Sequence, residues 1–231
     1  MMSTRDEHSG GLIPQQELPA GAEEFSQKVH TLLDGKPKDE ATVERAFSGL
    51  DEMFDRIAAG LYSLGSMLVG EGEDSVRLVE TAVATAEVSA CDDAAQARKS
   101  SRLALSRAAI ELLDKRAPGC LAAPAGLEAG GTCIEDDDLD AAGVSKDEFA
   151  RMLAGPDRDR VRTWLAGLPV EQRVTFVLRA VAGLSSTDTA GLLAAHGGKS
   201  AKGWTADAVR VVFRQALCSL ASQLIHAVTT K

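Results

Sequence analysis

Residues 168–196, LPVEQRVTFVLRAVAGLSSTDTAGLLAAH, carry the pattern of two amphipathic helices joined by a short turn. Pro169 suits the first turn of a helix, because its missing N–H would have no partner there in any case. Ser185 is placed to cap the second helix, and Asp188 three residues later fits a capping box. The apolar stripe of the first helix comprises Val170, Val174, Val177, Leu178 and Val181. This pattern predicts the first half of a helix-turn-helix.

A last helix over residues 205–220 completes this unit. Thr205 can cap it, and Arg210 and Arg214 lie one turn apart on its outer face, where a recognition helix reaches base edges. The connection before it, HGGKSAKGW at 196–204, is an insertion, since a helix-turn-helix turn usually has about 3–4 residues. It either loops out and presents Lys199 and Lys202 to phosphates, or it displaces the last helix.

The charge of the chain is divided unevenly. The 231 residues have a formal net charge of −9. Residues 1–150 contain 14 Lys and Arg against 29 Asp and Glu, whereas residues 151–231 contain 11 against 5. The helix-turn-helix pattern therefore lies in a basic part of an acidic chain. Opposite signs in the two parts favour different partners for each.

The composition favours helices throughout. Aromatic residues are only 4% of the chain, and Ala and Leu, which lose little conformational freedom in a helix, are abundant. Residues 25–117 show three apolar stripes and predict a helical bundle, after a disordered lead at 1–24. The stripes comprise Phe47, Leu50, Phe54, Ile57, Leu61, Leu64 and Leu68, then Val76, Val79, Val83 and Ala86, then Leu103, Leu105, Ala108, Ile110 and Leu112. We expect an all-α protein.

Residues 118–157 separate the bundle from the helix-turn-helix. Gly, Ala and Pro are followed by five acidic residues within 135–140, and then by a capping-box pattern at 145–148 that predicts a short helix. Such a composition is typical of a flexible, solvated acidic linker. The alternative is an acidic arm that covers the basic part when DNA is absent. The predicted organisation is thus two small helical domains, 25–117 and 158–231, joined by this linker.

The sequence gives little support for a metal site, an enzyme active site or a membrane span. The four cysteines, Cys91, Cys120, Cys133 and Cys218, lack CxxC spacing, so we expect reduced thiols and no metal. The four histidines are far apart, and no glycine-rich phosphate loop follows a strand, so we expect neither an enzyme nor a cofactor. No apolar run reaches the ~20 residues of a membrane span, and the expected compartment is the cytoplasm. Trp164 and Trp204 are expected to anchor packing.

The C-terminal part resembles region 4 of the extracytoplasmic-function sigma factors of bacterial RNA polymerase. The family pattern is Leu-Pro, an Arg four residues after the Pro, a Leu-Arg pair, Gly-x-Ser-x-x-acid-x-Ala and a last helix beginning Thr-x-x-Val-(Lys/Arg). The matching positions are Leu168, Pro169, Arg173, Leu178, Arg179, Gly183, Ser185, Asp188, Ala190, Val209 and Arg210, with Thr205 one residue further from Val209 than in the family pattern. Residues 70–83 and 101–116 resemble region 2 of the same family. The resemblance covers about 45–117 and 158–225.

This resemblance implies a transcription initiation factor. The first domain would bind the β′ clamp helices of core RNA polymerase and the −10 element, and the second would place its last helix in the −35 major groove. An anti-sigma factor is the implied regulator. The implied polymerase-binding residues are Val76, Arg77, Leu78 and Glu80. The DNA-binding candidates are Arg98, Lys99, Arg102, Arg107, Arg173, Lys199, Lys202, Thr205, Arg210 and Arg214.

Region 2 departs from the family pattern. Arg77 and Glu80 stand where the family has an Asp and a Gln that grip the clamp helices, and a reversed charge at such a contact is costly. No aromatic residue lies between Tyr62 and Phe149 to stack unpaired bases. These departures favour a second hypothesis, a sigma mimic that binds an anti-sigma factor or another protein and does not initiate transcription.

Overall fold

A computed structural model describes residues 57–86, 94–124 and 133–229. Within these ranges the regular structure is helical and no strand is present, which confirms the predicted all-α class. The predicted lead at 1–24, the first-stripe residues Phe47, Leu50 and Phe54, and Cys91 lie outside the described residues. We number the helices from the first described one.

The described residues of the N-terminal part form three helices. They are α1 over Ile57–Val69, α2 over Glu73–Thr85 and α3 over Ala94–Arg116. The predicted stripe on α1 is confirmed, since Leu61, Leu64 and Leu68 are buried. Gly70 and Gly72 have φ of 95° and 132° in the turn between α1 and α2, a left-handed backbone that glycine adopts without a Cβ clash.

The predicted core face of α2 is only partly correct, since Val79 and Ala86 pack against the core but Val76 and Val83 do not. Ser75, Leu78 and Ala82 are buried, whereas Val76 and Val83 are 47% and 63% exposed. Leu78 and Ala82 belong to the hydrophobic core, and α2 packs against α3. At about 100° per residue, Val76 and Val83 lie roughly 80–160° around the helix from the buried residues.

Five helices follow in the C-terminal part. They are α4 over Lys146–Ala154, α5 over Arg158–Gly167, α6 over Val170–Phe176, α7 over Ser186–His196 and α8 over Ala206–Thr229. A π-helical turn, Val177–Val181, continues α6. The ring of Phe176 is the centre of the aromatic packing, with the rings of Phe149, Trp164 and Phe213 at 5.5, 5.0 and 5.6 Å.

The predicted helix caps are confirmed. The hydroxyls of Ser145, Ser185 and Thr205 accept from the backbone N–H three residues later, at 3.3, 3.0 and 3.1 Å. The Asp188 carboxylate accepts from the Ser185 hydroxyl at 2.6 Å instead of reaching back to the Ser185 backbone. Asp is one methylene shorter than the Glu of a standard capping box, which explains this contact.

The flexible linker predicted at 118–157 is wrong for its described residues. Leu121, Leu139, Val144 and Phe149 are buried in the same hydrophobic cluster as the helices on either side. A short 3-10 helix, Leu139–Ala142, packs against α8. Contacts group Ile57–Lys231 in one compact unit, so the predicted two-domain arrangement is not confirmed.

A disulfide joins this segment to the last helix. Cys133 and Cys218 are 85 residues apart in sequence, yet their Cα atoms are 5.8 Å apart and their sulfurs are bonded. The expectation of reduced thiols is therefore wrong for this pair, because the spacing along the chain gave no sign that the fold brings them together. Among the described cysteines, Cys120 is free.

One described segment, Ala206–Ile225 of α8, is long and apolar enough to cross a membrane by composition alone. About 39% of it is buried inside the fold. The core helix of a soluble protein meets the same criterion, so this observation is weak evidence for a membrane.

Candidate nucleic-acid interface

The start of α8 has the features of a recognition helix. Thr205 caps its first turn, α8 packs against α6 and α7, and its side chains Val209 and Val212 are buried. This packing leaves Arg210 and Arg214, one turn apart, away from the core. The Arg210 side chain is 47% exposed, and that of Arg214 is half-buried. Both side chains therefore reach the surface within the first three turns of α8.

Carboxylates interrupt this positive surface. The Arg210 Nη1 atom pairs with Asp207 on the same helix, and its Nε atom is 3.9 Å from Asp137 Oδ2. Asp137 belongs to the segment of residues 133–140, which we call the acidic arm. The sequence shows five acidic residues in this segment, but it does not indicate which basic side chains they contact.

The acidic arm also contacts two further arginines. Arg214 donates from Nη1 to the Glu135 carbonyl at 2.9 Å. Arg179 donates from Nη2 to the carbonyl and the carboxylate of Asp137, at 3.1 and 3.0 Å. The Arg179 guanidinium lies 5.0 Å from the Phe213 ring centre, a cation–π contact. The arm thus occupies hydrogen-bond donors around the start of α8.

The insertion forms part of the packing. It contains a 3-10 helix, Ser200–Gly203, and Ala201 and Trp204 are buried. Trp204 donates from Nε1 to the Leu121 carbonyl at 2.9 Å, and the Ala123 N–H donates to the Ser200 carbonyl at 3.2 Å. The insertion therefore holds the helix-turn-helix to the segment after α3. It does not loop out, although Lys199 and Lys202 on it are exposed.

Arg173, one of the DNA-binding candidates, is only partly accessible to a partner. It is half-buried on α6, and its Nε atom has no hydrogen-bond partner among the described residues. Burial lowers the pKa of its guanidinium from the usual range. The nearby Cys120 thiol has a raised pKa, because of burial and the negative charges of Asp114 and Glu171. A free Cys120 is therefore a weak nucleophile at neutral pH.

The basic residues of α3 are at the surface, but they do not form one stripe. Arg98, Lys99, Arg102 and Arg107 are all exposed. At about 100° per residue, the first three fall within ~100° of arc around α3, and Arg107 lies ~80° beyond Lys99. A straight duplex on one side of α3 would contact the first three and miss Arg107.

The residues implied to bind polymerase divide between the two sides of α2. Val76, Arg77 and Glu80 are exposed, whereas Leu78 is buried in the core. Arg77 pairs with Glu73 one turn earlier. An outward face with Val76, Glu80 and Val83 in line is thus available to a partner, and Leu78 is not part of it.

Three arginines of α5 engage carboxylates. Arg158 and Arg162 both pair with Glu71, in the turn between α1 and α2, and Arg160 pairs with Asp157 at 3.1 Å. Arg162 also donates to the Ser66 hydroxyl at 2.9 Å. These contacts connect α5 to the N-terminal helices.

The described residues contain no group of three His, Cys, Asp or Glu side chains arranged to hold a metal ion. No family model matches the chain, and neither a curated protein nor a solved structure matches it. The resemblance to sigma factors therefore stays a prediction based on the residues quoted above.

Proposed function

We propose that this protein is a transcription initiation factor similar to the extracytoplasmic-function sigma factors. In this proposal α8 enters the major groove of the −35 element, and α1–α3 contact core RNA polymerase and the −10 element. The observation that carries the proposal is the capped start of α8, held on α7, with Arg210 and Arg214 one turn apart at the surface. Arginine side chains at this place on a recognition helix reach guanine edges and phosphates.

Two further observations support it. By the resemblance in sequence, α2 corresponds to the segment with which the family contacts the polymerase, and Val76 and Val83 are exposed on it. Single exposed valines are ordinary, and these two lie on the same face of the helix as Glu80. On α3, Arg98, Lys99 and Arg102 add positive charge at positions that match the DNA-facing helix of the family. The proposal places the protein in the cytoplasm with the polymerase and requires no enzymatic activity or cofactor.

A second candidate function is that of a sigma mimic. The carboxylates of Asp137 and Asp207 beside Arg210 interrupt the positive surface that DNA would need. With Arg77 and Glu80 on the polymerase face, this arrangement favours a protein that binds an anti-sigma factor without initiating transcription. The two candidates differ in whether the protein binds core polymerase and DNA.

The deciding experiment is reconstituted transcription. Purified protein is mixed with core RNA polymerase and the DNA upstream of its own gene, in the presence of a dithiol reductant. We expect a specific transcript. We also expect Arg210→Ala to weaken duplex binding by about 1–3 kcal/mol, if it reads a base. Arg151→Ala on α4 is the matched control, because Arg151 is exposed and lies outside the candidate interface.

The salt dependence of DNA binding shows whether an arginine contacts a base edge or a phosphate. If Arg214 binds a phosphate, Arg214→Ala removes that cation and reduces the slope of log K against log salt by about 1. Protein that binds neither polymerase nor duplex DNA, yet forms a stable complex with an anti-sigma factor, would support the mimic and contradict the initiation factor.

A further inference from the structure

We propose that the acidic arm, residues 133–140, is an autoinhibitory segment that blocks the DNA-binding face of α8 until the Cys133–Cys218 disulfide is reduced. This inference rests on the proposed function, because it assigns a regulator to the same surface. It is carried by two independent observations, the contacts of the arm with three arginines and the covalent bond that fixes the arm to α8.

The arm uses the donors that DNA would use. An N–H group that donates to the arm is not free for a phosphate, and the Asp137 carboxylate repels a phosphate that approaches the same guanidinium groups. Asp137 occupies Arg179 and lies 3.9 Å from Arg210, while the Glu135 carbonyl occupies Arg214. A duplex that reaches these arginines must displace the arm.

The ionic contacts alone hold the arm weakly. The side chains of Arg210 and Asp137 are 47% and 37% exposed, and exposed ion pairs contribute little because water and salt screen them. Buried Leu139 gives the arm an apolar anchor. The disulfide adds a covalent tether to α8, which keeps the carboxylates at a high effective concentration beside the arginines.

The position of the bond suits a thiol-responsive switch. Cys133 is exposed, so a thiolate in solution reaches it, while Cys218 lies on α8 two turns after Arg210. A small-molecule or protein thiolate attacks the Cys133 sulfur and breaks the bond, and Cys218 leaves as a thiolate that takes up a proton. A second thiol then attacks the mixed disulfide, so that two thiols are oxidised to one disulfide and Cys133 is released reduced.

This chemistry is consistent with the compartment in the proposal. Disulfides are rare in the cytosol, and those that form there are usually transient or redox-sensing. An initiation factor whose DNA-binding face is blocked when the bond is present would be inactive under oxidation and active after reduction.

The test compares duplex binding by the oxidised and reduced full chain. The probe is a fluorescein-labelled duplex from the DNA upstream of the gene, followed by fluorescence anisotropy with and without dithiothreitol. We expect reduction to tighten binding by about 10-fold, because the arm then no longer competes with phosphates for Arg210 and Arg214. Cys133→Ser should bind tightly in both conditions, and Asp137→Asn should bind more tightly than wild type in the oxidised state.

Two variants serve as controls. Cys120→Ser retains the disulfide and should respond to reduction as wild type does. Asp147→Asn removes an exposed carboxylate outside the arm and should leave oxidised binding weak. Far-UV circular dichroism of every variant checks that the helices are retained.

The outcomes distinguish this inference from the proposed function. Equal binding by oxidised and reduced wild type, with Arg210→Ala weaker in both states, would overturn the autoinhibition and leave DNA binding intact. No binding by any form, including Cys133→Ser, would overturn the proposed function. Hydrogen exchange then examines the arm without DNA, and amides at 134–140 that stay equally protected after reduction would show that the bond does not hold the arm.

Discussion

Trp204 shows how one side chain fixes the candidate interface. The insertion that carries it is polar and rich in glycine, yet the indole is buried and donates to the Leu121 carbonyl. Trp164 is likewise buried, and it donates to the Ser219 hydroxyl at 2.9 Å. Both tryptophans anchor packing, as their sequence context predicted. An indole is suited to this position because it combines a large apolar surface with one donor for a buried carbonyl.

We predict that Trp204→Ala destabilises the fold by about 3–5 kcal/mol, because it removes a large buried side chain and leaves the Leu121 carbonyl without its donor. Trp204→Phe keeps most of the apolar volume and should cost less. Urea unfolding followed by far-UV circular dichroism measures both. A change below about 1 kcal/mol for Trp204→Ala would mean that the insertion does not hold the helix-turn-helix to the α3 end, since surface substitutions fall in that range.

At the scale of elements, the connection between α7 and α8 depends on backbone geometry. Gly198 has φ of 78°, and a Cβ at this position would collide with the Asp114 carboxylate at the end of α3. Gly191 lies inside α7, where a Cβ would meet open space. The same substitution therefore has opposite consequences at two glycines seven residues apart.

We predict that Gly198→Ala destabilises the protein by about 1–3 kcal/mol, through left-handed backbone strain and displacement of Asp114. Gly191→Ala, its matched control, should stabilise by about 0.5–1 kcal/mol, since Ala loses less conformational freedom in a helix. Thermal unfolding compares the two variants with wild type. Stabilisation by Gly198→Ala would contradict the tight packing of this connection against α3.

The features that the sequence predicted are the local ones. The caps at Ser145, Ser185 and Thr205 and the stripe on α1 depend on residues within one or two turns, so the pattern contains the information. The face of α2 could not be predicted, because alternating Val and Leu allow two orientations and the partner helix selects between them. The disulfide and the contact of Asp137 with Arg179 join residues 85 and 42 positions apart, and no local signal specifies such partners.

Sequence reasoning located the basic candidates of the interface, but not their environment. The apolar stripe of α8 puts Arg210 and Arg214 on its outer face. Their carboxylate and carbonyl partners come from a segment whose composition is typical of a solvated linker. A run of acidic residues acquires a defined position when buried neighbours fix it, and here Leu139 and the Cys133 disulfide do so.

At the scale of the whole molecule, the disulfide closes a long loop of chain. The loop from Cys133 to Cys218 contains α4 to α7 and the start of α8, so it encloses the aromatic packing around Phe176. A bond across such a loop restricts the unfolded chain far more than the folded one. The same bond that positions the acidic arm is therefore also expected to contribute to global stability.

We predict that reduction, or the double change Cys133→Ala and Cys218→Ala, lowers the free energy of unfolding by about 2–5 kcal/mol, the upper end corresponding to the entropy of a loop of this length. The dependence of that free energy on urea should become steeper, because an unfolded chain without the bond exposes more surface. Cys120→Ala, which leaves the bond intact, should retain both the stability and the response to reductant. Coincident urea transitions of oxidised and reduced wild type would show that the bond adds no stability to this fold, and that its effect is confined to the arm.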